Sequence, residues 1–266
     1  MRKDVLGIAT YLAIAFGMAW AAWEIPLRLG LSIQSAWFQI PALIGAFSPA
    51  VAGIVVRRFV TREGFADAGL EPFPRKWLFY LAALLIPLAV AFATAAASYT
   101  LDIAWPDFTP VTVPFLLQLV VFSIVLTPVQ WGEEFGWRSY LQLRLFARRP
   151  LAAAIATGVI WGVWHYPLLL RGTELPGHPI AMLILFPLGT VFYSIFLGWL
   201  RLRSGSIWPS SLAHSAINHL KSPLAAAAFL AVPDKLGVTI ASVAVMGLAA
   251  LLIVALGGLK PKAEPA

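Results

Sequence analysis

The stretch WLFYLAALLIPLAVAFATAAAS, residues 77–98, holds no charged side chain. A helix of about 20 apolar residues can cross a bilayer core about 30 Å thick, so this stretch predicts a membrane span. Similar apolar runs lie on either side of it in the sequence. In all we predict about eight spans, at residues 5–23, 35–56, 77–98, 113–132, 151–170, 180–200, 207–231 and 236–258.

The overall composition supports the same class of protein. Of the 266 residues, 60% are hydrophobic and 12% are charged, and the mean hydropathy is +0.83. A water-soluble domain cannot bury so much apolar surface in one core. We therefore predict an all-α, polytopic transmembrane helix bundle, with residues 1–266 as a single integral-membrane domain. The longest polar segment, 57–76, is rich in Gly and Pro, which argues against a second folded domain.

The basic residues indicate the orientation of the bundle, because cytoplasmic loops are enriched in Lys and Arg. One alternating set of segments contains Arg2, Lys3, Arg57, Arg58, Arg62, Arg75, Lys76, Arg144, Arg148, Arg149, Arg201, Arg203, Lys260 and Lys262. The other set contains Arg28, Arg171, Lys221 and Lys235. Both termini are therefore predicted to be cytoplasmic. The formal net charge of +7 then belongs to loops that face anionic lipid headgroups, and no nucleic-acid partner is expected.

Several ionisable residues lie inside the predicted spans. A charged side chain at the bilayer centre costs about 2.5–3.5 kcal/mol on insertion scales, so such residues are candidates for function. They occur in QWGEEFGWRSY (130–140), WGVWHY (161–166) and LAHSAINHL (212–220). Counted at 1.5 Å per residue from the nearest basic boundary, Glu133, His165 and His214 lie roughly 16–23 Å deep. Three helices thus present polar groups at similar depth.

Helical spacing assigns partners within the first of these stretches. Glu134 and Arg138 are four positions apart and can pair on one helix face. Glu133 points about 100° away from Glu134, so it is free to face a cavity and to act as a general base. A purely structural ion cluster is the alternative interpretation of these charges.

The other two stretches add imidazoles and an amide. Trp161 lies one turn before His165 and can pack its ring against the imidazole, whereas His214 and Asn218 are four positions apart and share a face. A carboxylate base, two imidazoles and an amide donor are the groups needed to activate water and to stabilise an oxyanion. The combination predicts hydrolysis.

These three groups resemble the CPBP family of CAAX proteases and bacteriocin-processing enzymes, also called the Abi family, which includes the type II CAAX prenyl endopeptidases. The family pattern is E-E-x-x-x-R, then F-x-x-x-H, then H-x-x-x-N or H-x-x-x-D. Here the motifs read EEFGWR from Glu133, WGVWH from Trp161 and HSAIN from His214, with Trp in the place of the usual Phe. The resemblance covers about residues 113–220, which we expect to be the catalytic core.

The resemblance implies a role for each motif residue. Glu133 would activate water with the help of His165, and His214 with Asn218 would bind the oxyanion of the tetrahedral intermediate. The residues expected to hold the site in shape are Glu134, Arg138 and Trp161.

Members of the family have been described both as metalloproteases and as glutamate-dependent proteases without metal. Glu133, His165 and His214 would form a His₂Glu zinc set. Asn218 is a poor zinc ligand, however, and the sequence contains no H-E-x-x-H motif. We therefore expect no metal cofactor.

The resemblance implies an intramembrane endopeptidase that cleaves a membrane-anchored peptide or protein among membrane lipids. The short chain and compact loops are similar to those of bacterial members, so we expect a multi-pass protein of the bacterial plasma membrane that serves in bacteriocin processing or self-immunity. Two other functions stay open. Glu133 and the histidines suit the proton relay of a membrane transporter, and the same residues suit a catalytically silent peptide-binding scaffold.

Overall fold

A computed structural model describes residues 2–72, 76–146, 148–175 and 177–260. Within these ranges the regular structure is entirely helical, which confirms the predicted all-α class. The α-helices are α1 (Arg2–Arg28), α2 (Gln39–Val55), α3 (Trp77–Thr100), α4 (Val113–Val125), α5 (Thr127–Gly136), α6 (Gln142–Arg144), α7 (Pro150–Trp164), α8 (Tyr166–Leu169), α9 (Pro179–Ser204), α10 (Trp208–Ala216), α11 (Ser222–Ala228) and α12 (Leu236–Ala255). π-helical turns occupy Val56–Val60, Trp137–Leu141 and Ile217–Lys221, and a 3₁₀ turn occupies Ala36–Phe38.

Five helical segments of the described chain are long and apolar enough to cross a membrane. They are Lys3–Arg28, Ala36–Val60, Trp77–Thr100, Pro179–Ser204 and Leu236–Ala255. A sixth span results if Val113–Val125 and Thr127–Arg144, which are bent by 48°, count as one. The prediction of eight spans is therefore not confirmed.

The two remaining predicted spans are short or interrupted. Helix α7 has 15 residues and ends at Trp164, with His165 as its C-cap, whereas the predicted span was 151–170. The predicted span 207–231 is divided into α10 and α11 by the π-helical turn between them. Pro167 has no backbone N–H to donate to the carbonyl of Val163, four positions earlier, which accounts for the break between α7 and α8.

The predicted cytoplasmic residues collect at one end of the bundle, which we call the basic end. Here Arg57 pairs with Asp67, Arg203 Nε donates to Gly258 O over 2.8 Å, and Ile207 N donates to Gly69 O over 2.8 Å. These contacts bring together the loops after α2, α9 and α12. Of the basic residues assigned to this side, Arg75 and Lys262 lie outside the described residues.

The loops before α4, α9 and α12 meet at the opposite end. Asp107 N donates to Ala228 O over 2.7 Å, and His178 Nε2 lies 3.0 Å from Asp234 Oδ1. The two ends of the bundle are thus defined by contacts between loops that are far apart in sequence.

We expect the basic end to be cytoplasmic, because Lys and Arg are retained on that side during insertion. Single cysteines placed at Arg62 and Arg148 should be protected from a membrane-impermeant thiol reagent in intact cells, whereas a cysteine at Asp102 should be labelled. The chain contains no cysteine of its own, so each signal reports one position. Labelling of the first two positions, and not of the third, would reverse the orientation.

Small residues let α7 approach α9 closely. A Cβ added to Gly158 would lie 2.5 Å from Val191 Cα, and one added to Gly162 would lie 2.5 Å from Pro187 Cα. Thr190 Oγ1 also donates to Gly158 O over 2.9 Å. Close approach of this kind is how helices associate where lipid offers no hydrophobic driving force. It fixes the end of α7, which carries Trp161 and is followed directly by His165.

A buried arginine fixes the helix that carries the paired glutamates. The Arg57 side chain is fully buried, and it donates to Ser139 O and, over 2.8 Å, to Gly64 O. It also pairs with Asp67 Oδ1 at 2.6 Å. Burial raises the pKa of Asp67, but the hydrogen bond and charge of Arg57, with the charge of Arg144, outweigh burial and lower it below its usual value. Asp67 therefore stays ionised, and the π-helical turn after α5 is tied to the loop after α2.

Candidate active site

The three sequence groups meet around one cavity of about 570 Å³. Its wall includes Glu133 of α5, Trp161 of α7, His165 at the α7–α8 junction, His214 of α10 and Asn218 of the following π-helical turn. The remainder of the lining is mostly apolar and comes largely from α9, α11 and α12. A concave, mainly apolar site with a few convergent polar groups is the usual form of a ligand site.

The Glu133 carboxylate is held at one oxygen and free at the other. Its Oε2 accepts a hydrogen bond of 2.7 Å from the indole N–H of Trp161, and the residue is 7% exposed. Its Oε1 has no hydrogen-bond partner among the residues that the structure describes. This carboxylate therefore has a fixed orientation and an unused acceptor.

Glu134 lies in a buried cluster with Arg138 and His214. Glu134 Oε1 is 3.2 Å from an Arg138 terminal nitrogen and 2.9 Å from His214 Nδ1. The first distance is the i, i+4 pair expected from the sequence, whereas the second contact joins α5 to α10. Among the described residues Arg138 has no hydrogen-bond partner, so it is held by the charge of Glu134 and by the Trp161 ring, whose centre lies 4.5 Å from Cζ.

Both imidazoles use Nδ1 for a protein contact. His165 Nδ1 is 2.9 Å from Trp161 O, and a backbone carbonyl only accepts, so this nitrogen carries the hydrogen. His214 Nδ1 faces the carboxylate of Glu134 in the same way. The unused nitrogen of each ring is Nε2, which accepts a hydrogen bond when the ring is neutral and donates one when it is protonated.

Trp161 contacts all three sequence groups. In addition to its bond with Glu133 and its packing under Arg138, its ring lies 5.1 Å from that of His214 and 5.9 Å from that of His165, in both cases edge to face. The sequence predicted the packing on His165. The hydrogen bond to Glu133 spans 28 positions, and it escaped sequence reasoning because it depends on how α5 and α7 are placed.

Residues 112–220 match the family described as Type II CAAX prenyl endopeptidase Rce1-like. The match covers about two fifths of the chain and supports assignment of this segment to the CAAX protease family. It contains all of the motif residues and begins at Thr112, the N-cap of α4. The match supports intramembrane endopeptidase activity in general terms. No curated protein matches the chain.

The zinc ligands considered from the sequence were Glu133, His165 and His214, which line one cavity. Each keeps one ligand atom without a hydrogen bond to a described residue, namely Oε1 of Glu133 and Nε2 of each imidazole. Among the described residues, no group of three His, Asp or Glu side chains is arranged to hold a metal ion. The expectation of a site without metal stays a prediction.

The cavity also reaches residues to which sequence reasoning gave no site role. Lys221 ends the π-helical turn after α10, one position beyond the family match. Glu174 and Lys235 come from the loops before α9 and α12, so the cavity extends toward the end opposite the basic end. One signal was available in the sequence, because Lys221 was grouped with the basic residues opposite the cytoplasmic side although it falls within the predicted span 207–231. The π-helical turn that presents Asn218 and Lys221 had no such signal, although π turns are frequent at functional sites.

Replacing Trp161 by Phe should lower turnover by roughly 10-fold, because it deletes one hydrogen bond to a charged group and keeps the ring. The loss should appear in kcat, since the bond orients Glu133 and does not contact substrate. Trp20→Phe is the matched control, because the Trp20 indole donates to Trp164 O outside the cavity lining. Equal kcat for Trp161→Phe and the wild type would remove Trp161 from the positioning of Glu133.

Proposed function

We propose that the chain is a glutamate-dependent intramembrane endopeptidase that cleaves a membrane-anchored peptide or protein. The observation that carries this proposal is the Glu133 carboxylate, which has one oxygen fixed by Trp161 and the other free in a cavity shared with His165, His214 and Asn218. Family membership supports the general activity. The catalytic mechanism and the kind of substrate are not given by the family match and are part of the proposal.

In the first step Glu133 Oε1 takes a proton from a water molecule, whose oxygen attacks the carbonyl carbon of the scissile peptide bond. The neutral form of His165 assists by accepting a hydrogen bond from that water at Nε2. The carbonyl oxygen becomes an oxyanion. The Asn218 amide donates to it, and so does His214 Nε2, which carries a hydrogen when that ring is protonated beside Glu134.

In the second step the tetrahedral intermediate collapses and the C–N bond breaks. The proton held by Glu133 passes to the leaving nitrogen, so that the products are a carboxylic acid and an amine and the glutamate is again ionised. Glu134 and Arg138 do not contact the reacting atoms in this scheme. Their role is to hold His214 and the Trp161 ring in place.

We propose that the substrate is presented by the membrane, because the apolar wall of the cavity comes from α9 and α12, two helices that qualify as spans. Such an enzyme in the plasma membrane of a bacterium suits bacteriocin maturation or self-immunity. Deletion of the gene would distinguish these settings, since the first predicts unprocessed peptide and the second predicts sensitivity of the producing cell.

The proposal is tested with purified protein in liposomes and a library of N-terminally acylated, internally quenched peptides. We expect cleavage of a subset, with the cut sites identified by mass spectrometry. Proton uptake is followed in the same vesicles with a pH-sensitive dye. Proton-coupled uptake without cleavage would establish a transporter, and peptide binding without cleavage would establish a scaffold.

Removal of metal should leave peptide cleavage within about twofold of the untreated rate, because the proposed scheme uses no metal. The measurement is the rate after dialysis against 1,10-phenanthroline, with metal content determined by mass spectrometry. If cleavage were lost and stoichiometric zinc restored it, Glu133, His165 and His214 would instead be assigned as zinc ligands.

A further inference from the structure

A lysine lines the cavity without a carboxylate partner. Lys221 Nζ donates to the hydroxyl of Tyr193 over 2.7 Å and lies 5.4 Å from the centre of its ring. Within the described part of the chain, Lys221 forms no ion pair. Lys235 also lines the cavity and likewise pairs with no described carboxylate, and the exposed Glu174 on the same wall is not within ion-pair distance of either lysine.

Lys221 is half-buried in a mainly apolar cavity, where its ammonium group has the Tyr193 phenol and ring beside it. A cation that is partly removed from water is normally paired with a negative charge or used for binding. Tyr193 lies on the facing helix α9, and its hydrogen bond restrains Lys221 but supplies no negative charge. The missing countercharge is therefore best supplied by a ligand in the cavity.

The position of Lys221 relates it to the proposed catalytic groups. It follows Asn218 by three residues in the same π-helical turn, so the two side chains leave the helix within one turn of each other, at most roughly 5 Å apart along its axis. An extended peptide advances about 3.3 Å per residue. A group held by Lys221 would therefore lie roughly one to three residues from a carbonyl held at Asn218.

We propose that Lys221, restrained by Tyr193, binds a carboxylate of the substrate close to the scissile bond and thereby determines specificity. This inference rests on the proposed endopeptidase function. The carboxylate is either the C-terminus of the substrate or the side chain of an Asp or Glu. The two sources share one chemistry, namely a charge-assisted hydrogen bond to an ammonium group.

The test uses three peptides built on one sequence that the library assay selects, all acylated at the N-terminus. One peptide ends in a free carboxylate and has no acidic side chain, one is its C-terminal amide, and one is that amide with a single Glu near the cut site. We expect kcat/KM to be roughly 10- to 100-fold higher for a peptide with a carboxylate than for the neutral amide, mostly through KM. The better of the two acidic peptides identifies the source of the charge.

Substitutions then assign the preference to Lys221. Lys221→Met should abolish it, with Lys221→Gln as a second neutral variant should the first not fold, and Lys221→Arg should retain it. Lys3→Met is the matched control, because it removes the same charge at an exposed position outside the cavity lining and should keep the wild-type preference.

The outcomes separate the two proposals. Cleavage without a carboxylate preference in the wild type, or an unchanged preference in both neutral variants, overturns the role of Lys221 and leaves the endopeptidase intact. A wild-type protein that cleaves no peptide of the library overturns the proposed function and this inference with it.

Discussion

Glu133→Gln is expected to lower the turnover of a membrane-anchored peptide by about 10² to 10⁴-fold, the usual effect of losing a general base. Gln has nearly the same size as Glu, and its amide oxygen can still accept the indole hydrogen bond of Trp161. It cannot take a proton from water at neutral pH. The fold should therefore survive while the first step of hydrolysis fails.

The comparison is made on purified proteins by single-turnover cleavage and by thermal unfolding in detergent. Glu174→Gln is the matched control. Glu174 lines the same cavity, but the proposed mechanism does not use its carboxylate. Wild-type turnover by Glu133→Gln would contradict the base assignment. A large fall in the melting temperature of Glu133→Gln would assign this glutamate to the structural cluster instead.

Arg138→Ala is expected to destabilise the protein by about 3–5 kcal/mol, the range measured when one partner of a buried ion pair is removed. The Glu134 and Arg138 side chains are both fully buried. Without Arg138, only the His214 contact at 2.9 Å remains to offset the charge of Glu134. The Trp161 ring would also lose the cation that lies over it.

His165→Ala provides the comparison for this prediction. His165 lies at the junction of α7 and α8, and its ring bonds only a backbone carbonyl, so its loss should cost less stability than the loss of Arg138. Thermal unfolding of the two variants in the same detergent measures the difference. Equal stability of the two variants would contradict the structural role assigned to Arg138.

The sequence predicted the features of the site that depend on helical spacing. The Glu134–Arg138 pair is an i, i+4 contact and is present at 3.2 Å. The different direction of Glu133 follows from the same geometry, since it bonds Trp161 and not Arg138. Contacts that join helices, such as His214 with Glu134, could not be predicted, because local spacing does not determine how helices rotate against each other.

The membrane spans likewise divide into those that the local sequence predicts and those that it does not. Long uninterrupted apolar runs such as 77–98 were predicted closely and became Trp77–Thr100. The run 207–231 did not become one helix, because a π-helical turn interrupts it between α10 and α11. Hydropathy averages over such interruptions, so it overestimated the number of helices that qualify as spans.

The central position of Trp161 has a consequence for the evolution of the site. One indole contacts a residue from each motif, so the effects of substitutions in Glu133, Arg138 and His214 are expected to be strongly epistatic. A chimaera that imported one motif from another enzyme would leave this ring with mismatched neighbours on the remaining sides. The three motifs should therefore be exchangeable between proteins only as a set, together with the aromatic residue they share.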